Sequence, residues 1–248
     1  MGEAVRRFLL ILFSVWISTF GIPCMALSKP FKGTVFPVYF YDPGTWSSLA
    51  SLKTRGKFYV VVNPASGPGE FVDENYTRFI MELRRHHKIP VGYIHTEWGK
   101  RDIDEVKGDV DRWLELYPKI RGFFIDEVAT SRQELPYYSE LISYIKSKNP
   151  GFKVVLNPGA KPDRAYFKLA NLVIVYEDSF DSLSEMIKAG PRGKSGCIVY
   201  GVSRDEVNEV VRRAKKVCKY LFVTDGSGAN PYDHIPDYFR WFLKKYVR

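Results

Sequence analysis

Eight short runs rich in Val, Ile, Phe and Tyr recur along the chain, and their number and spacing constrain its fold more than any other feature. They are TVFPVYFY (34–41), KFYVVVN (57–63), IPVGYIHT (89–96), GFFIDE (122–127), FKVVLN (152–157), LVIVYE (172–177), GCIVYG (196–201) and YLFVTD (220–225). Between most of them the apolar residues take helical spacing, clearest in DENYTRFIMELRRHH, DIDEVKGDVDRWLELYP, ELPYYSELISYIKS and SRDEVNEVVRRAKKVC. Near-continuous apolar strands need cover, and alternation with helices makes them parallel. Eight such units in about 220 residues predict a closed (β/α)8 TIM barrel, a single α/β domain over residues 30–248. An open doubly wound sheet is the competing architecture, but no G-x-G-x-x-G follows the first strand. Ser203 with Glu206 matches a capping box, and Ser179 is placed to cap a helix after the sixth strand.

Residues 1–26 read differently. Arg6 and Arg7 precede an apolar run from Phe8 to Ile22, and Cys24-Met25-Ala26 supplies small residues at a cleavage spacing, the layout of a secretory signal peptide. The run is short for a membrane span and Pro23 interrupts it; an uncleaved anchor is the other reading. A secreted, extracellular protein is therefore expected, with membrane contact only through an uncleaved segment. The mature chain keeps Cys197 and Cys218, enough for one disulfide but no framework. The net charge is +9 and falls to about +8 without residues 1–26, yet no basic cluster interleaved with aromatics marks a nucleic-acid surface. Lys and Arg fall instead on helical faces such as Arg212, Arg213, Lys215 and Lys216. A monomer is expected.

Barrels of this class build function at the C-terminal ends of their strands. Here those ends are polar: Tyr39, Tyr41 and Asp42 close the first, Asn63 the second, His95 the third, Asp126 and Glu127 the fourth, Asn157 the fifth, Glu177 the sixth, Tyr200 the seventh, Thr224 and Asp225 the eighth. Asn63 and Asn157 each precede proline and serve equally well to start a turn, and Asp225 before Gly226 reads as turn chemistry. Asp126 and Glu177 each follow an apolar run and would face a partly desolvated mouth, where a carboxylate without a task is costly. Side chains alternate along a strand, so Asp126 and Glu127 cannot both face the mouth unless the strand ends between them. One is chemical and the other supporting.

Two carboxylates across a cleft suit glycoside hydrolysis, one protonating the leaving oxygen and the other attacking the anomeric carbon or activating water. The reading assigns Asp126 as nucleophile or base and Glu177 as general acid, with the reverse assignment open, and gives Glu127, Asn63, Asn157 and His95 to substrate positioning. Tyr39, Tyr41, Trp46, Tyr93, Trp98, Tyr176 and Tyr200 could form an aromatic rim that stacks on sugars. No cofactor or metal is expected. A metal-dependent hydrolase built on His95 with Asp126 or Glu177 lacks an H-x-H on strand one, and His86, His87 and His234 fall in helical or loop positions. A phosphate-handling barrel would use TDGSGAN after strand eight, and a non-catalytic glycan-binding barrel would need the rim but not the carboxylates.

The succession PVYFYDPGTW, VVVNPASGPG, NYTRFI, VGYIHTEWGKR, FFIDEV, VVLNPGAKPD and VIVYED, in order from about residue 35 to 180, resembles the spherulation-specific family 4, or spherulin-4-like, proteins. The resemblance implies a TIM barrel and glycoside hydrolase activity on α-1,4-linked galactosamine or N-acetylgalactosamine polymers of microbial exopolysaccharide. It also implies that the family's acidic residues fall on Asp126, Glu127 and Glu177. An oligo- or polysaccharide is the expected partner, although a cationic galactosamine polymer would suit a chain of this charge only if the cleft is locally acidic.

Overall fold

The computed structural model describes residues 29–186 and 192–248; the expected signal peptide lies outside the described residues. Eight parallel strands close into one barrel in chain order: β1 (Gly33–Val38), β2 (Lys57–Val62), β3 (Ile89–His95), β4 (Gly122–Asp126), β5 (Lys153–Leu156), β6 (Leu172–Ser179), β7 (Ser195–Tyr200) and β8 (Tyr220–Val223). Every run expected to be a strand is one, and the open sheet is ruled out. The helices are α1 (Pro43–Ser51), α2 (Glu74–Arg85), α3 (Ile103–Leu116), α4 (Leu135–Lys148), α5 (Tyr166–Leu169), α6 (Val207–Val217) and α7 (Phe239–Tyr246).

Local chemistry explains where the helices start and which face they bury. Asp42, Asp73 and Asp102 each accept two backbone N–H bonds at the N-termini of α1, α2 and α3, satisfying donors that have no partner within the helix. α2 buries Tyr76, Phe79, Ile80 and Leu83, and α3 buries Val106, Val110, Trp113 and Leu116, stripes at i, i+3, i+4, i+7 and at i, i+4, i+7, i+10 spacing. Trp113 lies so close on β3 that a Cβ at Gly92 would sit 2.7 Å from its ring.

Two helix-end expectations are corrected. α6 begins at Val207, three residues later than a capping box at Ser203 implies, because the Ser203 hydroxyl donates to Glu206 instead of accepting from the helix. Only half the motif survives, the Glu206 carboxylate accepting from the Ser203 N–H at 2.8 Å. Ser179 caps no helix: it ends β6, and a 3-10 turn at Leu183–Glu185 follows.

Cys197 on β7 and Cys218 just past α6 form a disulfide, with Cα atoms 5.9 Å apart and both residues buried. It closes a loop of 21 residues in sequence separation, for which chain entropy predicts a contribution of about 3 kcal/mol. A Cys197→Ala/Cys218→Ala chain is expected to unfold in denaturant with stability lower by about that amount.

Candidate active site

The site forms where β3 to β6 end. Tyr93, Phe124, Val155 and Leu172 are successive register partners across these strands, so they share one face, and the Tyr93 and Phe124 rings stack at 6.3 Å. Asp126 is two residues beyond Phe124 and faces the same way. Asn157, two beyond Val155, brings its amide to it.

Glu177 reaches this face by an irregularity that alternation alone does not show. Leu172 and Ile174 lie on the interior face, so strict alternation would turn Tyr176 inward and Glu177 outward. In the register, Ile174 pairs with Gly196 and Glu177 with Ile198, so three steps on β6 match two on β7. The extra residue is a β-bulge at Val175, and it re-aims the strand end so that Glu177 takes the mouth and Tyr176 is buried outside.

One amide ties the two carboxylates together. Asn157 Nδ2 donates to Asp126 Oδ1 at 2.7 Å and to Glu177 Oε2 at 2.5 Å, which keeps those oxygens at most about 5 Å apart. The Gly159 N–H donates to Asn157 Oδ1 at 3.1 Å and so fixes which end of the amide faces the acids. Asn157 is thus both the turn residue and the site residue that its Asn-Pro context left undecided. Glu177 also accepts a short hydrogen bond from the Tyr232 hydroxyl. Burial, and then the Asp126 charge, push the Glu177 carboxyl up to about 7, against the hydrogen bonds from Tyr232 and Asn157. Burial also raises Asp126, opposed by hydrogen bonds from Tyr93, the Glu127 backbone and Asn157. The two are raised together and titrate as a pair. Asn157→Ala removes the shared donor: kcat is expected to fall at least about tenfold, and the alkaline limb of the pH profile to move upward, read from kcat across pH 5–9.

Glu127 answers the adjacent-carboxylate question. The strand ends at Asp126, and Glu127 takes left-handed backbone with φ 51°, a conformation costly outside glycine. Its carboxylate accepts from the Glu97 N–H at 3.2 Å, and its carbonyl accepts from Trp98 N–H and from Thr96. Glu97 and Trp98 are left-handed too. Glu127 therefore pins the β3 loop to the end of β4, close enough for its charge to act on Asp126 and Tyr93.

The aromatic expectations divide. Tyr39 packs edge-on to Tyr93 at 5.7 Å and to Tyr232 at 5.5 Å, and burial first, then Asp126, hold the Tyr39 and Tyr93 phenols well above their ordinary range and neutral. Trp46 and Tyr176 are not rim residues: both are buried, Trp46 stacked on Phe79. Tyr41 is exposed and hydrogen-bonds Asp73 at 2.9 Å over the helix layer, and Trp98 is exposed. Tyr200 donates to Asp178 at 3.4 Å. Asn63 accepts from the Gly67 N–H at 3.0 Å, which makes it the turn residue of NPASG. His95 is the register partner of Asp126, yet its Nε2 lies 4.0 Å from Glu97 and its buried Nδ1 has no protein partner. Among the described residues, no group of three or more His, Cys, Asp and Glu is arranged to hold a metal ion.

Tyr232 was not anticipated. It sits in the connection after β8, where Thr224 Oγ1 accepts from Gly226 N–H, Gly226 presses on Pro231, and Asn230 donates to the Tyr39 carbonyl. His234 bridges Asp225 at 2.9 Å and Asp233 at 2.6 Å, so Asp225 works as a loop tie. This acidic, internally bonded loop delivers a phenol to Glu177 and offers little to a phosphate. The sequence signal was an aromatic, Tyr232, inside a Gly/Asn/Pro-rich loop at the barrel mouth.

The profile of spherulation-specific family 4 matches residues 33–246, nearly the whole barrel. The chain belongs to spherulation-specific family 4. The match includes the last two strands, beyond the motifs legible before residue 180. The chain is 31% identical over 228 residues to spherulin-4 of Physarum polycephalum, spanning 85% of this chain and 68% of that protein. Its structure is similar to that of Aspergillus clavatus Sph3 in complex with GalNAc, with a TM-score of 0.79 and 27% identity over 90% of this chain and all of that one. A β-D-glucuronidase of Dictyoglomus thermophilum shares the fold at TM-score 0.52 and 9% identity, over 88% of this chain and 50% of that one.

Proposed function

We propose that this family 4 barrel is a glycoside hydrolase that cleaves a polymer containing galactosamine or N-acetylgalactosamine, with Glu177 as general acid and Asp126 as nucleophile. The observation that carries the reading is the buried Asp126–Asn157–Glu177 bridge, in which one carboxyl is raised to about 7 and its neighbour is held by three hydrogen bonds. Two buried carboxyls this close resist ionising together, so the pair can hold one proton and one negative charge in a single cleft. Glu177 gives its proton to the glycosidic oxygen as the bond breaks, and Asp126 takes the anomeric carbon. Water then displaces Asp126 with Glu177 acting as base. The bridged oxygens, at most about 5 Å apart, are compatible with this double displacement, in which the two carboxyls stand near 5–5.5 Å.

The GalNAc in the Sph3 complex supports the sugar class. Charge supports it as well. The connections that run from a strand into the next helix, residues 39–42, 63–73, 96–102, 127–134, 157–165, 201–206 and 224–238, hold thirteen Asp and Glu against six Lys and Arg, so the mouth is acidic although the chain is basic. A cationic amino sugar is therefore compatible with a net charge of +9. The disulfide supports an exported protein, because such bonds persist in oxidising compartments.

The test is reducing-end release from α-1,4-linked galactosamine polymers with and without N-acetylation. Release of oligosaccharides supports the reading. Binding of these polymers without release would replace it with a glycan-binding barrel.

A further inference from the structure

Charge is divided along the barrel axis. Six connections run from a helix into the next strand, residues 52–56, 86–88, 117–121, 149–152, 170–171 and 218–219, and none contains Asp or Glu. They do contain Lys53, Arg55, Lys119, Arg121 and Lys219, and the chain enters the barrel at this same end through Lys29 and Lys32. Part of this polarity is generic, because helix C-termini point this way and cations in a last turn complement the dipole, as Arg84, Arg85, Lys146 and Lys148 do. The dipole does not account for Lys32, Lys53, Arg55 and Lys57, which lie beyond helix ends or on a strand.

These cations converge. One groove is lined by Lys32, Arg55 and Lys57, and a second by Lys53, Arg55, Lys57 and Arg85. Arg55 and Lys57 belong to both, so the basic surface is continuous, and no Asp or Glu lines either groove. All five side chains are exposed, and among the described residues none of them makes an ion pair. Lys88 beneath them differs: it is buried, and its ammonium donates to the carbonyls of Leu52 and His86. Uncompensated exposed cations repel one another and raise the local concentration of an anionic partner.

We propose that this end of the barrel docks on an anionic phospholipid surface, with the carboxylate mouth at the opposite end directed away from it. The path of the chain favours a bilayer over a soluble polyanion. The apolar run Phe8–Ile22 precedes Lys29 by a few residues in sequence, and Phe31 is fixed at the basic end by its bridge to Val247. With residues 1–26 retained as an uncleaved anchor, the chain would lead from a bilayer into the barrel beside these cations, where juxtamembrane Lys and Arg are attracted to anionic lipid. The inference is independent of the glycosidase reading.

The test compares the full chain with its Lys53→Glu/Arg55→Glu/Arg85→Glu variant by co-sedimentation with phosphatidylcholine vesicles, with and without phosphatidylserine. The N-terminal run is common to both chains, so their difference isolates the basic end. The excess of binding to phosphatidylserine vesicles over phosphatidylcholine vesicles is expected to fall at least about tenfold in the variant, and that excess to be lost by the wild-type chain at about 0.5 M salt. A Lys53→Gln/Arg55→Gln/Arg85→Gln chain, expected to show an intermediate loss, serves if charge reversal prevents folding. Equal binding by wild-type and variant chains would overturn the proposal. So would tighter binding to soluble polygalacturonate than to the anionic vesicles, which would identify a polysaccharide as the partner.

Discussion

Asp126→Asn and Glu177→Gln are each expected to lower kcat on a cleavable galactosamine polymer at least about a thousandfold while the barrel stays folded. Each substitution keeps the shape of a side chain whose surroundings already burden its charge, so the fold tolerates it. The two losses should differ in kind. Asp126→Asn replaces the anionic carboxylate that attacks the anomeric carbon with a neutral amide, so its defect should be the same for every leaving group. Glu177→Gln removes proton donation, so a substrate with an activated leaving group that needs no proton should recover most of the first step. Tyr232 provides a finer probe, because its hydroxyl bond holds Glu177 down against burial. The contrast between leaving groups separates the two roles, which a simple loss of activity does not.

A stability measurement is expected to show the same carboxyl without any substrate. Glu177 sits near 4.5 in the unfolded chain and near 7 in the folded one, so between those values the native state holds more protons than the unfolded state. Stability is then fully present below about 4.5 and falls as pH rises through about 7. The loss is up to about 3 kcal/mol, reduced by whatever water reaches the carboxylate. Asp126, raised in the same sense, adds to the slope in the same direction. Denaturant unfolding from pH 4.5 to 8.5 should therefore show wild-type stability declining across the range and Glu177→Gln declining much less. Parallel curves for the two chains would mean that Glu177 ionises in the native state as it does in the unfolded one, and that it is not poised as an acid.

The barrel was legible because its signals are local and repeated. Each β-strand is a run of apolar residues ending in a polar one, and each long helix carries a stripe such as Val207, Val210, Val211 and Val217, so errors at single residues do not propagate. The carboxylates were legible for a related reason: Asp126 and Glu177 interrupt apolar runs where a barrel opens to solvent. What could not be read depends on register and on contacts distant in sequence. Alternation counted from Leu172 and Ile174 assigns Glu177 to the outer face, and only the pairing with β7 reveals the bulge that turns it inward. Trp46 and Tyr41 are five residues apart, yet one is buried between helices and the other exposed, because α1 packs on α2 in a way no single segment specifies. Tyr232 comes from 55 residues beyond Glu177, and its role exists only once the β8 connection folds over the mouth. Ser203 misled because its hydroxyl has a competing acceptor in Glu206.

The most direct measurement is the anomeric configuration of the first-formed product, followed by proton NMR during cleavage of an α-1,4-linked galactosamine or N-acetylgalactosamine polymer. The Asp126–Asn157–Glu177 bridge predicts that the α-anomer appears first and only later equilibrates with the β-anomer. Initial formation of the β-anomer would contradict the account, since inversion uses a more widely spaced pair of carboxyls with a water between them.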